Sequence, residues 1–459
     1  MKYKYKSTSA PGRLLVALIF SFTVAGSAVA ADKASNTPAP NKAEQKPVEN
    51  KTPGSPEKKP AAKSPNKNKA NSSSDKPTAE KNNVQHKVKK VLKKKKKTRT
   101  KKRGSHKKRK ATKKRHRKKK HRRAKRRSSR KKMVRRSYIG SKQLNSFINY
   151  AVRKHKFKRQ ELLKLFANIK SRPDIIKLMN RQAEDLPWYR YRKIFLGKKR
   201  VNDGVKFWKK HARILSAAEK KYGVPPEIVI AIVGVETLYG QRKGNIAILE
   251  SLATLSFDFP RRSRFFRSEL MNFLRLARKE KFDPLKLRGS FAGAMGMPQF
   301  MPSSYRAYAI DFNKDGKRDL FHSPADVIGS VAHYFSTFGW KKGQPVTTRV
   351  RIRGKKYRRM PKPSNRLKPH LSLKQYAKYG IKPYPASKRY KSNYKASFIR
   401  LRTGKRKREY WLGFNNFYTI TRYNHSTLYA MAVHLLSQKI KQKYLASKRV
   451  KIKRVASGN

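Results

Sequence analysis

One acidic side chain stands at the end of an unusually apolar segment of this sequence. Glu236 lies near the end of the run Pro225-Pro226-EIVIAIVGVETLYG, in which residues 228 to 233 are all apolar. This pattern predicts a helix inside a core, with proline in its first turn. The negative pole of the helix dipole and the apolar neighbours both favour a protonated carboxyl group, which is a proton donor. The alternative is an exposed glutamate just past a core helix.

Two further stretches combine ring faces, amides and glycines in a way that suits carbohydrate. Gln299 stands beside Phe300 in the run GSFAGAMGMPQFMPSSY, whose glycines let a ligand approach the backbone closely. Near the end of the chain, Asn424 follows Tyr423 in the aromatic run EYWLGFNNFYTITRYNH. Close helix packing explains the first pattern equally well, and ordinary core explains some rings of the second.

A third stretch, from Asp311 to Leu320, has the spacing of an EF-hand calcium loop. Oxygen ligands occupy loop positions 1, 3, 5, 7 (a backbone carbonyl) and 9, with glycine at position 6: Asp311, Asn313, Asp315, Lys317, Asp319 and Gly316. Position 12 is His322, where a bidentate glutamate is expected. Asp319, Asp326 or water could complete the site. The spacing favours calcium, and the alternative is a turn that fits by chance.

Composition excludes several classes of protein. The chain of 459 residues has a formal net charge of +97 and no cysteine, which excludes disulfides, thiolate metal sites and lipid attachment through cysteine. It contains neither HExxH nor GxSxG, so a zinc protease or esterase has no support. Arg261 and Arg262, next to aromatic residues, could hold a sugar or carboxylate, although arginines in so basic a chain are more often surface charge.

The first 136 residues divide into three segments. Residues 1–30 have the layout of a cleaved secretory signal, which predicts a periplasmic protein; an uncleaved anchor is the alternative. Residues 31–86 are a linker of Pro, Lys, Asn and Ser that is too polar to fold. Residues 87–136 contain 33 lysines and arginines, which favours a nonspecific tether to a polyanion over a solvated tail. The absence of aromatic residues there argues against recognition of single-stranded nucleic acid.

The remaining residues, 137–459, carry apolar side chains at helical spacing in several segments. Ser263 and Ser323 fall where N-caps belong, and Pro324 suits a first helical position. Between about 346 and 408 the helical pattern weakens, and VTTRVRIR and ASFIRLR alternate as short strands do. We therefore expect a mostly α, α+β body with an inserted smaller lobe.

Five stretches together resemble the lytic murein transglycosylase B family, in the same order along the chain. They are GVETLYG, LATLSFDFPRRSRFFRSEL, GSFAGAMGMPQFMPSSY, DFNKDGKRDLFHSPADVIGSVAHYF and YWLGFNNFYTITRYNHSTLYAMAV. The resemblance spans roughly residues 137 to 443. The family's lipoprotein members carry an acylated cysteine. This chain has no cysteine, so it resembles a soluble member.

This resemblance implies a lysozyme-like catalytic domain that cleaves the MurNAc–GlcNAc β-1,4 bond of peptidoglycan without water. It implies Glu236 as the catalytic acid, no catalytic cofactor, and structural calcium in the EF-hand-like loop. It also implies a glycan groove formed by Arg261, Arg262, Ser290, Gln299, Tyr334, Tyr423 and Asn424. We expect a monomer whose partner is the peptidoglycan glycan strand.

A single acid is sufficient for this reaction. Ordinary glycosidases need two carboxyl groups, and the sequence shows no second acid in a matching context near Glu236. The C6 hydroxyl of MurNAc supplies the nucleophile and leaves a 1,6-anhydro ring. Two alternatives stay open: a hydrolysing muramidase on the same scaffold, and a noncatalytic basic protein that binds anionic wall polymer or nucleic acid.

Overall fold

The computed structural model describes residues 135–180 and 186–456, with side chains as far as residue 449. The predicted signal, the linker and all but the last two residues of the basic tract lie outside the described residues. Within them, no helix has the length and apolar character needed to cross a bilayer.

Most of the described chain is helical. The helices are α1 Lys142–His155, α2 Arg159–Ala167, α3 Pro173–Met179, α4 Trp188–Phe195, α5 Lys198–Lys210, α6 Ala212–Tyr222, α7 Pro226–Thr237, α8 Ile248–Phe257, α9 Ser263–Lys279, α10 Pro302–Tyr308, α11 Pro324–Thr337, α12 Leu373–Lys378, α13 Asn415–Tyr423 and α14 Thr427–Ala456. Short 3₁₀ turns lie at Pro260–Arg262 and Lys356–Arg359.

Within the described residues, seven strands form two antiparallel sheets. They are β1 Ile246–Ala247, β2 Arg288–Gly289, β3 Thr347–Ile352, β4 Leu371–Ser372, β5 Ile381–Pro383, β6 Lys395–Arg402 and β7 Arg408–Gly413. β1 pairs with β2, and the other five form a sheet in the order β4-β6-β7-β3-β5. The two segments that alternate in the sequence are β3 and β6, so both were predicted correctly. This larger sheet has its own small core around Tyr376 and Leu412.

Helix α7 is the centre of the helical body. All twelve of its residues are buried, and α5, α6, α11 and α14 pack around it. Pro225 is its N-cap and Pro226 its first residue, as the sequence predicts. Such burial on every side explains why the helix has no polar face. Glu236 is therefore carried into the core by the helix itself.

The chain turns sharply directly after α7. Leu238 and Tyr239 both have left-handed backbone conformations, with φ of 52° and 60°. The Tyr239 side chain lies against Gly204 of α5 and Gly234 of α7, where an added Cβ would come within 2.6 Å and 2.5 Å of its hydroxyl oxygen. That hydroxyl donates to the Arg200 carbonyl at 2.7 Å. The two glycines thus let Tyr239 hold α5 and α7 together.

One of the two predicted N-caps is correct and the other is wrong. Ser323 caps α11 by accepting the Asp326 N–H at 3.2 Å, and Pro324 is the first helical residue. Ser263 is already inside α9, whose N-cap is Arg262 without a side-chain hydrogen bond. The 3₁₀ turn that leads directly into α9 removes the extended residue that a serine cap needs.

Candidate active site

Glu236 is buried at the C-terminal end of α7, with 8% of its surface exposed. Its Oε1 accepts a hydrogen bond from the Tyr429 hydroxyl of α14 at 2.5 Å. Burial raises the pKa of Glu236 to about 8, although the Tyr429 hydrogen bond opposes the rise by favouring the carboxylate. At pH 7 the protonated form is therefore favoured. The sequence-based expectation of a buried acid agrees with this geometry.

Tyr429 connects this carboxyl group to a second tyrosine. The rings of Tyr429 and Tyr423 are nearly parallel, with centroids 6.5 Å apart. The Tyr423 hydroxyl donates to the Pro298 carbonyl at 2.5 Å. This hydrogen bond joins α13 to residues 289–301, the glycine-rich loop. Burial raises the pKa of both phenols well above the ordinary value. Tyr429 therefore stays a donor to Glu236 whatever the charge of the carboxyl group.

A cavity of about 130 Å³ is lined by Tyr423, whereas Tyr429 and Glu236 are not among its lining residues. It contains three of the predicted glycan contacts, Gln299, Tyr334 and Tyr423, which come from the glycine-rich loop, α11 and α13. The complete lining is Phe265, Glu269, Gln299, Phe300, Met301, Ser303, Ser304, Tyr334, Arg422, Tyr423 and His425. Rings and amides converge there as the sequence suggests for a sugar site.

Gln299 presents one end of its amide to this cavity. Its backbone is left-handed, with φ of 54°, and its Nε2 donates to the carbonyls of Gly296 at 2.8 Å and Lys243 at 3.0 Å. No group in the described part of the chain donates to its Oε1. The side chain is thus fixed through its nitrogen, and its oxygen is available to accept from a sugar hydroxyl.

The other predicted glycan contacts do not line this cavity. The Ser290 hydroxyl accepts the N–H groups of Ala292 and Ala294 at 3.3 and 3.0 Å, which closes the turn of the glycine-rich loop. Asn424 is buried and ends α13 as its C-cap. Their assignment to a glycan groove stays a prediction.

Arg261 and Arg262 lie on the 3₁₀ turn before α9. Arg261 is exposed, whereas Arg262 is partly buried, with its guanidinium carbon 4.3 Å from the ring centroid of Phe265. Because Phe265 lines the cavity, Arg262 lies behind one wall of it. Burial lowers the pKa of Arg262, and the charge of Glu269 opposes this.

The cavity also contains an acid that sequence reasoning missed. Glu269 of α9 is 3% exposed, and its two oxygens accept from Ser303 N at 2.9 Å and Ser303 Oγ at 2.6 Å. Burial raises the pKa of Glu269, and the Ser303 hydrogen bonds oppose the rise. The available signal was a glutamate on the apolar side of α9. Tyr429 was missed for a similar reason, because it lies inside an apolar helical run.

The EF-hand-like loop brings three carboxyl groups together. Oxygens of Asp311, Asp315 and Asp326 lie within 4.8 Å of one another. Asp311 accepts the backbone N–H groups of Asp315 at 3.1 Å and Gly316 at 2.8 Å, and Gly316 has a φ of 82°. These convergent hard oxygens are the donors that calcium prefers. The donor set is compatible with a calcium ion.

Of the carboxyl groups that the sequence offers for this site, Asp319 faces elsewhere and Asp326 joins the cluster. Asp319 Oδ1 accepts from the backbone of Phe321 and His322, and its Oδ2 is 3.0 Å from His322 Nδ1. Asp326, which the sequence offered as one way to complete the site, is fully buried and accepts from Phe312 N and Asp319 N at 2.8 and 2.9 Å. Asp326 thus supplies the third acid, four residues after His322.

Comparison with known proteins agrees with this arrangement. Residues 140–438 match the transglycosylase SLT domain family. Membrane-bound lytic murein transglycosylase B of Escherichia coli K12 is 44% identical over 313 residues, which cover 66% of this chain and 84% of that protein. The chain belongs to the transglycosylase SLT domain family, and the resemblance inferred from the five stretches is confirmed.

Two solved structures extend the comparison. The lytic transglycosylase Slt35 of E. coli in complex with calcium is 43% identical, with a TM-score of 0.61 over 67% of this chain and 96% of that one. SltB3 of Pseudomonas aeruginosa in complex with NAG-anhNAM-pentapeptide is 32% identical, with a TM-score of 0.58 over 65% and 78% of the two chains. The predicted lysozyme-like, predominantly helical α+β fold is thereby confirmed.

Burial of Glu236 makes the stability of the fold depend on pH. The folded-state pKa of about 8 lies above the ordinary value of 4.5. Between these values the folded chain binds more protons than the unfolded chain, so the free energy of unfolding falls as pH rises. The stabilisation is complete below the unfolded pKa and is lost as pH passes the folded pKa.

We expect Glu236→Gln to remove this dependence. The variant and the wild type should have similar unfolding free energies near pH 4, and the variant should gain about 1.4 kcal/mol relative to wild type for each pH unit crossed up to pH 8. Urea unfolding between pH 4 and 9 measures the difference, with exposed Glu161→Gln as the control. A difference that does not change with pH would contradict the assignment.

Proposed function

We propose that Glu236 catalyses nonhydrolytic cleavage of the MurNAc–GlcNAc β-1,4 bond of peptidoglycan, which leaves 1,6-anhydro-MurNAc ends. The observation that carries this proposal is a carboxyl group buried at the end of α7, where burial raises its pKa to about 8 and so favours the protonated acid at neutral pH. Membership of the family and the lytic transglycosylases among its relatives support the same activity. The chain is thus a lytic transglycosylase that acts on the glycan strand.

The reaction uses one carboxyl group twice. Protonated Glu236 donates its proton to the oxygen that leaves C1 of MurNAc, and the C1–O bond breaks. The resulting carboxylate then removes the proton from the C6 hydroxyl, whose oxygen bonds to C1. The Tyr429 hydroxyl donates to Glu236 throughout and stabilises the carboxylate between the two steps.

Gln299, Tyr334 and Tyr423 support the substrate in this proposal. The Gln299 carbonyl oxygen accepts from a sugar hydroxyl, and the two tyrosine rings offer flat apolar faces. Both phenol hydroxyls donate inside the protein, Tyr334 to the Arg422 carbonyl at 2.8 Å and Tyr423 to Pro298. Ser290, Arg261, Arg262 and Asn424 complete the proposed groove. The rings are therefore held in place before the glycan arrives.

A second candidate is a hydrolysing muramidase, which Glu269 favours. This buried acid lines the cavity with Gln299 and Tyr423, and a hydrolase needs a second carboxyl group to activate water or act as nucleophile. Both oxygens of Glu269, however, accept hydrogen bonds from Ser303. We therefore assign Glu269 to holding the start of α10.

Product analysis separates these candidates. Purified sacculi are digested with the wild type, Glu236→Gln and Glu269→Gln in H₂¹⁸O, and the soluble muropeptides are analysed by mass spectrometry. We expect unlabelled anhydro products from the wild type, a loss of at least about 10²-fold in Glu236→Gln, and the same anhydro products from Glu269→Gln. Reducing ends that carry ¹⁸O and depend on Glu269 would establish the hydrolase.

We also propose that the EF-hand-like loop binds calcium as a structural ion. Asp311, Asn313, Asp315, Asp326 and the Lys317 carbonyl would hold it, with Asp319 as a further candidate. Support comes from the three convergent carboxyl groups and from the relative solved in complex with calcium. The ion would neutralise these acids and fix the loop that precedes α11.

Calcium should therefore raise the melting temperature of the chain. At a concentration one hundred times its Kd, a ligand that binds only the folded state stabilises by about 2.7 kcal/mol. Differential scanning fluorimetry with calcium and with magnesium tests this. Asp315→Asn should lose the calcium shift, and Asp283→Asn, outside the loop, should keep it. An equal shift in both variants would contradict the site.

The segments before the folded body have proposed roles as well. Residues 1–30 direct export to the periplasm, residues 31–86 act as a linker, and residues 87–136 contact polyanions without selecting a sequence. The support is their composition alone. Residues 137–459, with the smaller lobe at about 346–408, form the catalytic domain of a monomer.

A further inference from the structure

A second cavity lies beside helix α13. Its volume is about 270 Å³, and its lining comes from the smaller lobe and the helical body together. The lining residues are Gln344, Lys368, Pro369, Tyr394, Lys395, Phe414, Asn415 and Tyr418. Nothing in the proposed reaction uses this cavity.

We propose that this second cavity is a remote subsite for the glycan strand, which binds a sugar unit and the carboxylates of its peptide stem. The inference rests on the proposed function and names a further part of the same substrate that the enzyme holds. The place of the cavity along α13, its rings and amides, and its charge each support this assignment.

Helix α13 carries residues of both cavities. Asn415 and Tyr418 line the second cavity, and Arg422 and Tyr423, about one turn further along, line the first. The Arg422 guanidinium carbon is 6.0 Å from the Tyr418 ring centroid, so the two linings meet at this pair. A polymer that occupies the first cavity and follows α13 reaches the second.

The lining has the chemistry of a sugar site. Tyr394 and Tyr418 are partly exposed, and the Tyr394 ring packs edge-to-face on buried Phe414 with centroids 6.2 Å apart. Asn415 is fixed through its Nδ2, which donates to the Gly339 carbonyl at 2.7 Å. Its amide oxygen accepts from no group in the described part of the chain. Flat rings beside an oriented amide acceptor suit the apolar face and the hydroxyls of a sugar.

Charge points to an anionic substituent on that sugar. Lys368 and Lys395 are both exposed, and neither takes part in an ion pair among the described residues. The lining contains no acid. Two cations over a sugar-like lining are complementary to the carboxylates of peptide stems. A polyanion without sugar units would contact the two lysines and would leave the aromatic rings of the lining without a contact.

The test compares a short substrate with a long one. The short substrate is a tetrasaccharide with peptide stems and one cleavable bond, and the long one is a glycan strand of many units. For Tyr418→Ala, and separately for Lys368→Glu with Lys395→Glu, we expect KM on long strands to rise about tenfold while kcat and all constants on the tetrasaccharide stay unchanged. Lys362→Glu with Lys374→Glu, exposed on the same lobe outside the cavity, is the control.

Strands whose stem carboxyl groups are converted to amides separate the sugar from its carboxylates. On these strands the lysine variant should match the wild type, and Tyr418→Ala should keep its defect. Equal losses of the variants on short and long substrates, or wild-type constants on both, would overturn the subsite. The proposed function would still stand if the wild type releases anhydro products. Absence of such products from the wild type would overturn both. If Tyr418→Ala fails to fold, the variant of the two exposed lysines still tests the subsite.

Discussion

The structure depends on burying one carboxyl group and keeping it protonated. Glu236 has its pKa raised to about 8 because α7 carries it into a core built on every side of the helix. Without that burial the acid would be ionised at neutral pH and could not donate a proton. The Tyr429 hydroxyl stabilises the carboxylate that forms after donation, which lowers the free energy needed to ionise this buried acid. Burial by α7 thus favours the protonated form of Glu236, and the Tyr429 hydroxyl stabilises the ionised form.

The rest of the body forms the cavity that we propose for the substrate. The glycine-rich loop, α11 and α13 each contribute one of Gln299, Tyr334 and Tyr423, and hydrogen bonds between these elements hold the rings in place. The left-handed backbone after α7 and the packing of Tyr239 on two glycines fix the end of the helix. The smaller lobe adds a second cavity along α13, which we propose as an extension of the glycan groove.

Sequence patterns predicted the features that local chemistry determines. Burial of Glu236 follows from its apolar neighbours, and the cap at Ser323 follows from the residues around it. The partners of Glu236 could not be predicted in this way, because Tyr429 is 193 positions away and only the packing of α14 on α7 brings it close. Glu269 and Ser303 meet for the same reason. Ser263 failed as a cap because the preceding 3₁₀ turn was not visible in the sequence.

Difference infrared spectroscopy measures the protonation state of Glu236 directly. Spectra of the wild type minus Glu236→Gln isolate the carbonyl stretch of this one side chain, which differs between the acid and the carboxylate. A buried, protonated Glu236 predicts the acid band at pH 7 and the loss of that band on titration near pH 8. A carboxylate band at pH 7, with titration near the ordinary value of 4.5, would contradict it.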